Sequence, residues 1–189
     1  EHWVKVLNSG IKAISTRLSI LDPMNKSRHT YREPIALNNL FTDIMRLFEN
    51  RRKKNNIRVD LDIPEELIVL TTLSRLFPSI CNIMDNMFYW VLLSKDERTI
   101  KIGFDKTGIF FTNSGPKIRE ETRERLFKPY VSTKDDGRGL GLYLSKESLK
   151  AINWDLVLAN SDIDMGLEGP VFIIMIPEKD IGGKHDSGN

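Results

Sequence analysis

The sequence predicts an α/β fold, a two-layer sandwich in which helices cover one face of a mixed β-sheet, preceded by an N-terminal helix. Two observations predict this class. Apolar residues alternate along several short segments, as in half-buried strands, and they recur every three or four residues along longer ones, as in amphipathic helices. The strands mostly follow one another with a few helices between them, which indicates one mixed sheet.

The first predicted helix carries an apolar heptad seam, formed by Val4, Leu7, Ile11, Ile14, Leu18 and Leu21. Such a seam fits either an amphipathic helix packed on its own domain or one helix of a dimeric, coiled-coil-like bundle. Pro23 and the polar run 25–30 end this helix. We therefore expect a helical segment and linker over 1–30, a domain over 31–180 and a disordered tail over 181–189.

The same periodicities predict the elements of the domain in order. Apolar residues at helical spacing predict helices over 37–48, 73–93 and 140–152. Alternating or β-branched apolar residues predict strands over 57–63, 100–104, 109–112, 156–159 and 171–176. The turn at 106–108 indicates that the second and third of these strands form a hairpin.

Composition and charge exclude several functional classes. Lys and Arg total 28 against 26 Asp and Glu, so there is no global signal for a polyanionic partner. We expect the basic run 51–54 to be a solvated connection between a helix and a strand. One cysteine excludes a disulfide framework and favours a reducing compartment. No apolar run reaches the ~18 residues of a membrane span. The sequence starts mid-pattern without a methionine, so we expect a cytoplasmic fragment of a longer protein, which is either soluble or membrane-anchored.

A glycine-rich loop before the last long helix is the strongest local sign of a ligand site. It consists of Gly137, Arg138, Gly139, Leu140, Gly141 and Leu142. Backbone without side chains can approach an anion closely, and the helix N-terminus adds free N–H groups and a positive dipole end. Ser132, Thr133 and Lys134, just upstream, supply hydroxyls and an ammonium suited to phosphate oxygens. A plain structural turn is the less favoured alternative.

Two asparagines in the helix over 73–93 form a second candidate. Asn82 and Asn86 are four residues apart and lie on one line of an otherwise apolar helix, although asparagine is a poor helix former. They either hydrogen-bond a neighbouring loop or offer an amide oxygen to a hard cation such as Mg²⁺. A third segment, 113–117, ends a strand and by itself is typical of a turn.

Together these segments resemble the nucleotide-binding boxes of the GHKL ATPases, which include gyrase B, the ninety-kilodalton heat-shock chaperone, histidine kinases and MutL. In chain order the boxes are Asn82-x-x-x-Asn86, Asn113-Ser-Gly-Pro, Phe127 with Ser132-Thr133-Lys134, and Gly137-x-Gly139-Leu140-Gly141-Leu142. The resemblance covers roughly 31–177 and is greatest to the catalytic, ATP-binding domain of sensor histidine kinases. It implies the Bergerat fold, and it identifies 4–21 as the second helix of a dimerisation bundle.

The resemblance also implies a site for ATP and Mg²⁺. Asn86 would ligate the metal, Asn82 would lie near its waters or the γ-phosphate, and Asn113 would reach the adenine amino group. Phe127 would anchor a mobile lid whose residues 132–134 close over the phosphates. The implied catalytic residues are Asn82 and Lys134. The other implied nucleotide-binding residues are Tyr89, Gly115, Lys117, Ser132, Thr133, Gly137, Arg138, Gly139, Leu140, Gly141 and Leu142.

Four positions depart from the family pattern. Asn113 stands where an aspartate usually reads adenine, so an oxygen acceptor remains but the charge is lost. Lys117 replaces the second glycine of that box. Asn82 replaces the glutamate that activates water in the hydrolytic members, which resembles the kinase branch. Tyr89 stands where many kinases carry a lysine or arginine.

The phosphate acceptor is expected outside this chain. The three histidines are His2, His29 and His185, and none lies on the helix that would carry an acceptor. The resemblance thus implies transfer to a histidine-containing domain, a downstream response-regulator-like protein, a possible homodimer through 4–21, and no contact with nucleic acid or membrane. The alternatives are a GHKL ATPase that acts as a conformational clamp, and a degenerate nucleotide-sensing or dimerisation module.

Overall fold

The computed structural model describes residues 31–95, 97–131, 139–159 and 166–182. Its helices are α1 (Leu37–Lys54), α2 (Leu73–Trp90), α3 (Glu120–Arg123) and α4 (Gly141–Lys150). Its strands are β1 (Glu33–Ala36), β2 (Arg58–Asp62), β3 (Ile68–Thr71), β4 (Thr99–Asp105), β5 (Gly108–Asn113), β6 (Asp155–Leu158), β7 (Phe172–Met175) and β8 (Ile181–Gly182). The predicted helix over 4–21 lies outside the described residues. So do the predicted site residues Ser132, Thr133, Lys134, Gly137 and Arg138.

Five strands form the main sheet, in the order β2-β4-β5-β7-β6. β2 and β4 run parallel, with Arg58 opposite Thr99, and the other neighbours are antiparallel. Parallel neighbours need a long crossover connection, and here β3 and α2 lie within it. The predicted mixed sheet and the hairpin of β4 with β5 are both confirmed.

Three short strands form a second, antiparallel sheet in the order β1-β3-β8, which the sequence analysis did not predict. β3 lies in the centre and pairs with β1 on one side and with β8 on the other. The prediction of a disordered tail from residue 181 is therefore wrong for Ile181 and Gly182. Strands of two to four residues are too short to show a clear alternation of apolar and polar side chains.

The core lies between the helices and one face of the main sheet. Phe41 of α1 and Phe88 of α2 are fully buried, as are Ile102 and Phe111 of the sheet. The ring centroids of Phe41 and Phe111 are 5.9 Å apart. Because burying a large apolar side chain contributes about 1.5–3 kcal/mol, this burial holds both α1 and α2 over the sheet. No helix in the described part of the chain is long and apolar enough to span a bilayer.

The basic run 51–54 forms the last turn of α1, so the expectation of a solvated connection is wrong. Cations in the last turn of a helix interact favourably with its dipole. Arg52 and Lys53 also pair with Glu49 one turn earlier. Their hydrogen bonds lower the pKa of the Glu49 carboxyl to about 2. These contacts within the helix account for the extension of α1 beyond the predicted end.

Asp180 connects the entry of the domain to its exit. Its side chain is 2% exposed, and its two oxygens lie 2.5 Å from Arg32 Nη2 and 2.8 Å from Trp154 Nε1. Burial raises the pKa of Asp180, but the hydrogen bonds from Arg32 and Trp154 outweigh burial and hold it below its ordinary value. The carboxylate therefore stays charged in the folded protein at neutral pH.

Candidate functional site

The candidate site is built on α2 and on the N-terminus of α4. The inner face of α2 is buried in the core, which fixes the orientation of the helix. Asn82 and Asn86 are both half-buried. Four residues along a helix correspond to a rise of about 6 Å, so both side chains emerge on one line.

Asn82 joins α2 to the first residue of α4. Its Nδ2 donates to Ser145 Oγ at 3.1 Å and to the Gly141 carbonyl oxygen at 3.4 Å. The interpretation of this asparagine as a hydrogen-bonding residue is therefore confirmed, with a helix rather than a loop as its partner. Among the described residues, no donor contacts its Oδ1.

The side chain of Asn86 makes no hydrogen bond with any residue in the described ranges. Its amide oxygen is therefore not engaged by another described side chain. No group of three or more His, Cys, Asp or Glu residues in those ranges could hold a metal ion. A cation here would need oxygens from a bound molecule and from water beside the amide oxygen, and this is how Mg²⁺ is usually held next to phosphates. The residues present fit Mg²⁺ in this respect.

Asn113 lies at the end of β5 and is 0% exposed. The Gly115 N–H donates to its Oδ1 at 2.7 Å, and its Nδ2 faces the Met87 sulfur at 3.2 Å. The side chain therefore closes the turn after β5, as expected for a turn at the end of a strand. An amide oxygen has two lone pairs, so Gly115 leaves one acceptor position on Oδ1.

Two glycines enclose Asn113 with bare backbone. A Cβ at Gly115 would lie 2.4 Å from the Trp90 carbonyl oxygen, and a Cβ at Gly169 would lie 2.1 Å from the Asn113 carbonyl oxygen. The Gly169 N–H donates to that same carbonyl at 2.9 Å. Gly169 was not predicted as a site residue, because a glycine between two strands is typical of any turn.

The other two departures from the family pattern lie near this end of α2. Lys117 is exposed at the surface. Tyr89 is half-buried, and its ring meets the edge of Trp90 at a centroid distance of 4.9 Å.

Phe127 is held by the sheet and by α4. Its ring meets Phe172 of β7 edge-on, with centroids 6.4 Å apart, and Lys146 Nζ lies 4.8 Å from its centroid. Lys146 is itself fixed by the Asp155 carboxylate at 2.8 Å. These contacts can anchor the chain that follows Phe127. The sequence analysis missed Lys146, which nothing in the local pattern distinguishes from a surface lysine.

Gly139, which follows residues 132–138 in the sequence, lies close to the backbone of Val131, which precedes them. Gly139 has φ +65°, and a Cβ there would lie 2.5 Å from the Val131 nitrogen. Only glycine fits this combination of conformation and contact. Leu140 and Leu142, on either side of the start of α4, are half-buried.

Helix α4 begins at Gly141, one residue later than the predicted start at 140. A Cβ at Gly141 would make only ordinary contact with Asn82, 3.7 Å from its Cγ. The first N–H groups of a helix have no partner within the helix, and the first turn of α4 contains no acidic residue. This terminus therefore attracts anions.

Comparison with known proteins identifies the family of this arrangement. The family model described as "Histidine kinase-, DNA gyrase B-, and HSP90-like ATPase" matches residues 73–180. The chain belongs to this family. The match runs from the start of α2 to Asp180 and so includes the asparagine pair, Asn113, Phe127 and the glycine loop.

Named relatives are sensor kinases. The adaptive-response sensory kinase SasA of Gloeothece citriformis is 24% identical over an alignment of 165 residues, and the match covers 82% of this chain and 38% of SasA. The histidine protein kinase SaeS of Staphylococcus aureus is 30% identical over an alignment of 150 residues, and the match covers 71% of this chain and 41% of SaeS. The chain thus spans about two fifths of the length of these curated relatives.

A solved structure of the catalytic domain of histidine kinase ThkA, in a nucleotide-free form, matches the fold. It has a TM-score of 0.63 and 28% identity, and the match covers 77% of this chain and 97% of the ThkA chain. The chain therefore contains an ATP-binding catalytic domain of the histidine kinase type. The predicted family and the predicted α/β sandwich are both confirmed.

Proposed function

We propose that this domain binds Mg-ATP and transfers the γ-phosphate to a histidine outside this chain, within a cytoplasmic part of a two-component signalling protein. The observation that carries the proposal is the hydrogen bonding of Asn82 to Gly141 and Ser145. This contact joins Asn82 to the anion-attracting terminus of α4, and it supports a single site that would include both asparagines of α2 and that terminus.

Within this site, Asn86 would hold Mg²⁺ through its amide oxygen. The bound ion would supply neutralisation of the phosphate charge. The free N–H groups at the start of α4 would donate to phosphate oxygens. Residues 132–134, which include the catalytic candidate Lys134, would close over the phosphates from the lid side.

Asn113 would read the base. Its Oδ1 accepts from Gly115 and has one further lone pair. The adenine amino group is a donor and would use that position. Since Asn113 is fully buried, the base would approach it only if the segments that contain Gly115 and Gly169 move apart slightly.

The chemistry of Asn82 favours transfer over hydrolysis. An amide has no basic site that could take a proton from water at neutral pH, so Asn82 does not activate water for attack. An imidazole nitrogen needs no such activation. It would form a bond to the γ-phosphorus as the bond from that phosphorus to the leaving oxygen of ADP breaks, and catalysis would consist mainly of positioning and charge stabilisation.

The partners follow from the same proposal. The acceptor would be a histidine-containing domain, and a response-regulator-like protein would take the phosphate from it. Residues 4–21 would form a helix of a homodimeric bundle.

Titration calorimetry with a non-hydrolysable ATP analogue tests the proposal. We expect the unmutated chain to bind the analogue, and to bind it more tightly with Mg²⁺ than without. Asn86→Ala should abolish the effect of Mg²⁺. Asn39→Ala, an exposed asparagine of α1, is the matched control and should leave both affinities unchanged. Equal affinity with and without Mg²⁺ in the unmutated chain would refute the metal site.

A second candidate is a degenerate module that retains the fold without binding nucleotide. The complete burial of Asn113 and its internal hydrogen bond to Gly115 favour this candidate. A ligand that binds only the folded state must raise the melting temperature. Unchanged melting at millimolar ATP, ADP and AMP would therefore support this candidate over the first.

A further inference from the structure

We propose that Ser145 is a positioning residue of the nucleotide site, which acts by holding the Asn82 amide in one orientation. Ser145 lies on α4, one turn after Gly141, and its side chain belongs to neither the glycine loop nor the asparagine pair. The inference deepens the proposed function and rests on it.

The hydrogen bonds around Ser145 have only one chemically consistent direction. Ser145 is 1% exposed, and its Oγ donates to the Gly141 carbonyl oxygen at 2.8 Å. Because a hydroxyl has one proton, Ser145 can then only accept from Asn82, whose nitrogen lies 3.1 Å away. The Gly141 carbonyl can also only accept. The two hydrogens on Asn82 Nδ2 thus meet two acceptors.

This arrangement prevents the Asn82 amide from turning over. A flipped amide would place its oxygen against the Gly141 carbonyl oxygen and lose that hydrogen bond. Ser145 could donate to the flipped oxygen only by turning its one proton away from the Gly141 carbonyl, which would then lose both of these donors. Asn82 Oδ1 is therefore directed away from these two acceptors, and no described residue donates to it. In the proposed site this oxygen would accept from the water molecules around the metal ion. Without the Ser145 hydroxyl, Asn82 loses one of the two hydrogen bonds that fix its amide. The amide can then turn over and direct its NH2 group, rather than its oxygen, toward the metal-bound water.

Ser79 separates this role from simple packing of α2 on α4. It is also 1% exposed, and its Oγ lies 2.8 Å from the Arg75 carbonyl oxygen and 3.4 Å from the Ser145 carbonyl oxygen. It therefore lies in the same interface and contacts the backbone of Ser145, yet it has no hydrogen bond with Asn82. Ser79→Ala is the matched control for Ser145→Ala.

The test is a double-mutant cycle, with the affinity for the magnesium complex of a non-hydrolysable ATP analogue measured by calorimetry. We expect Ser145→Ala and Asn82→Ala each to weaken binding about fivefold, the effect of one hydrogen bond of about 1 kcal/mol. The double variant should bind no more weakly than Asn82→Ala alone. Ser79→Ala should stay within about twofold of the unmutated chain. Multiplicative losses in the double variant, or an equal loss in Ser79→Ala, would overturn the inference.

Adenosine serves as a second probe because it has no phosphate. Its affinity should be the same in Ser145→Ala and in the unmutated chain, since Asn82 would act only at the phosphate end. An equal loss of adenosine binding would mean that Ser145 supports the fold of the site in general.

Ser145→Thr and Ser145→Val form a pair of nearly equal shape, which keeps the inference testable if Ser145→Ala does not fold. Threonine retains a hydroxyl that can bond the carbonyl four residues back, and valine does not. Threonine should therefore bind the analogue about fivefold more tightly than valine. Equal affinity of the two variants would overturn this inference but leave the proposed function in place. Absence of Mg²⁺-dependent binding by the unmutated chain would overturn the proposed function and the inference together.

Discussion

Replacement of Asp180 by alanine should destabilise the domain by about 3 kcal/mol. Trp154 Nε1 donates to the charged Asp180 carboxylate at 2.8 Å, and the Trp154 side chain is itself buried. Its loss, which leaves the N–H without an acceptor, costs about 2 kcal/mol. The ion pair with Arg32 adds less, about 0.5–1 kcal/mol, because the Arg32 side chain is 36% exposed and screened by water.

Urea denaturation at pH 7 measures this loss. With a slope of about 2 kcal/mol per molar urea, the midpoint should fall by about 1.5 M without a change in slope. Asp180→Asn retains an oxygen acceptor for Trp154 but loses the charge, so its loss should be about half as large. Asp62→Ala, at an exposed position, should change the stability by less than about 0.5 kcal/mol. A loss below about 0.5 kcal/mol for Asp180→Ala would refute this reasoning.

The same network predicts a pH dependence with a definite sign. The pKa of Asp180 is lower in the folded protein than its ordinary value, which is about 3.9 in unfolded chains. Its contribution is therefore complete above about pH 4 to 5 and disappears as the pH falls through the lowered pKa of the folded state. The stability difference between the unmutated chain and Asp180→Asn, measured at pH 7 and at pH 3, should be smaller at pH 3.

Three further predictions concern single residues near the site. Gly139→Ala should lower the free energy of unfolding by at least about 1–2 kcal/mol, because Gly139 has a positive φ and lies against Val131. Gly141→Ala should not lower it. Thermal unfolding of both variants measures the difference, and equal losses in the two would contradict this prediction. Burial raises the pKa of the Cys81 thiol to about 12, which lowers its thiolate fraction at pH 8 about 10³-fold below that of an unfolded chain. Iodoacetamide at pH 8 should therefore alkylate the native chain more than tenfold more slowly than the urea-unfolded chain. Equal rates would show an accessible thiolate. Phe127→Ala should cost about 1–2.5 kcal/mol in urea through its contacts with Phe172 and Lys146, and an unchanged midpoint would contradict its role as an anchor.

The main sheet and the cores of α1, α2 and α4 were predictable because each carries its own apolar period. The ends of these elements were less predictable. The last turn of α1 contains charged residues only, and the contacts of Arg52 and Lys53 with Glu49 that extend it leave no apolar pattern. The small sheet was missed because β1 and β3, paired as in Glu33 with Thr71, are far apart in the chain and four residues long.

The site shows the same division between local and distant information. Spacing identified Asn82 and Asn86, but it left the hydrogen-bonding and metal-binding interpretations equally open. Only the fold shows that Asn82 is a hydrogen-bonding residue, since its partner Ser145 lies 63 residues further along the chain. Residues such as Lys146 and Gly169 have no local signal, because their roles depend on contacts with Phe127 and Asn113.

The small sheet determines how this domain can be joined to other segments. The chain enters through β1 and leaves through β8, and both strands flank β3. β1 and β8 are two strand spacings apart, about 10 Å, and Glu33 lies opposite Thr71 whereas Gly182 lies opposite Ile68, three residues along β3. The two ends of the folded unit are therefore about 15 Å apart. A unit whose ends lie this close can be inserted into a loop of a host protein, or its order can be circularly permuted, without cutting the main sheet. A short linker between residues 182 and 31 should therefore suffice for a permuted version of this domain.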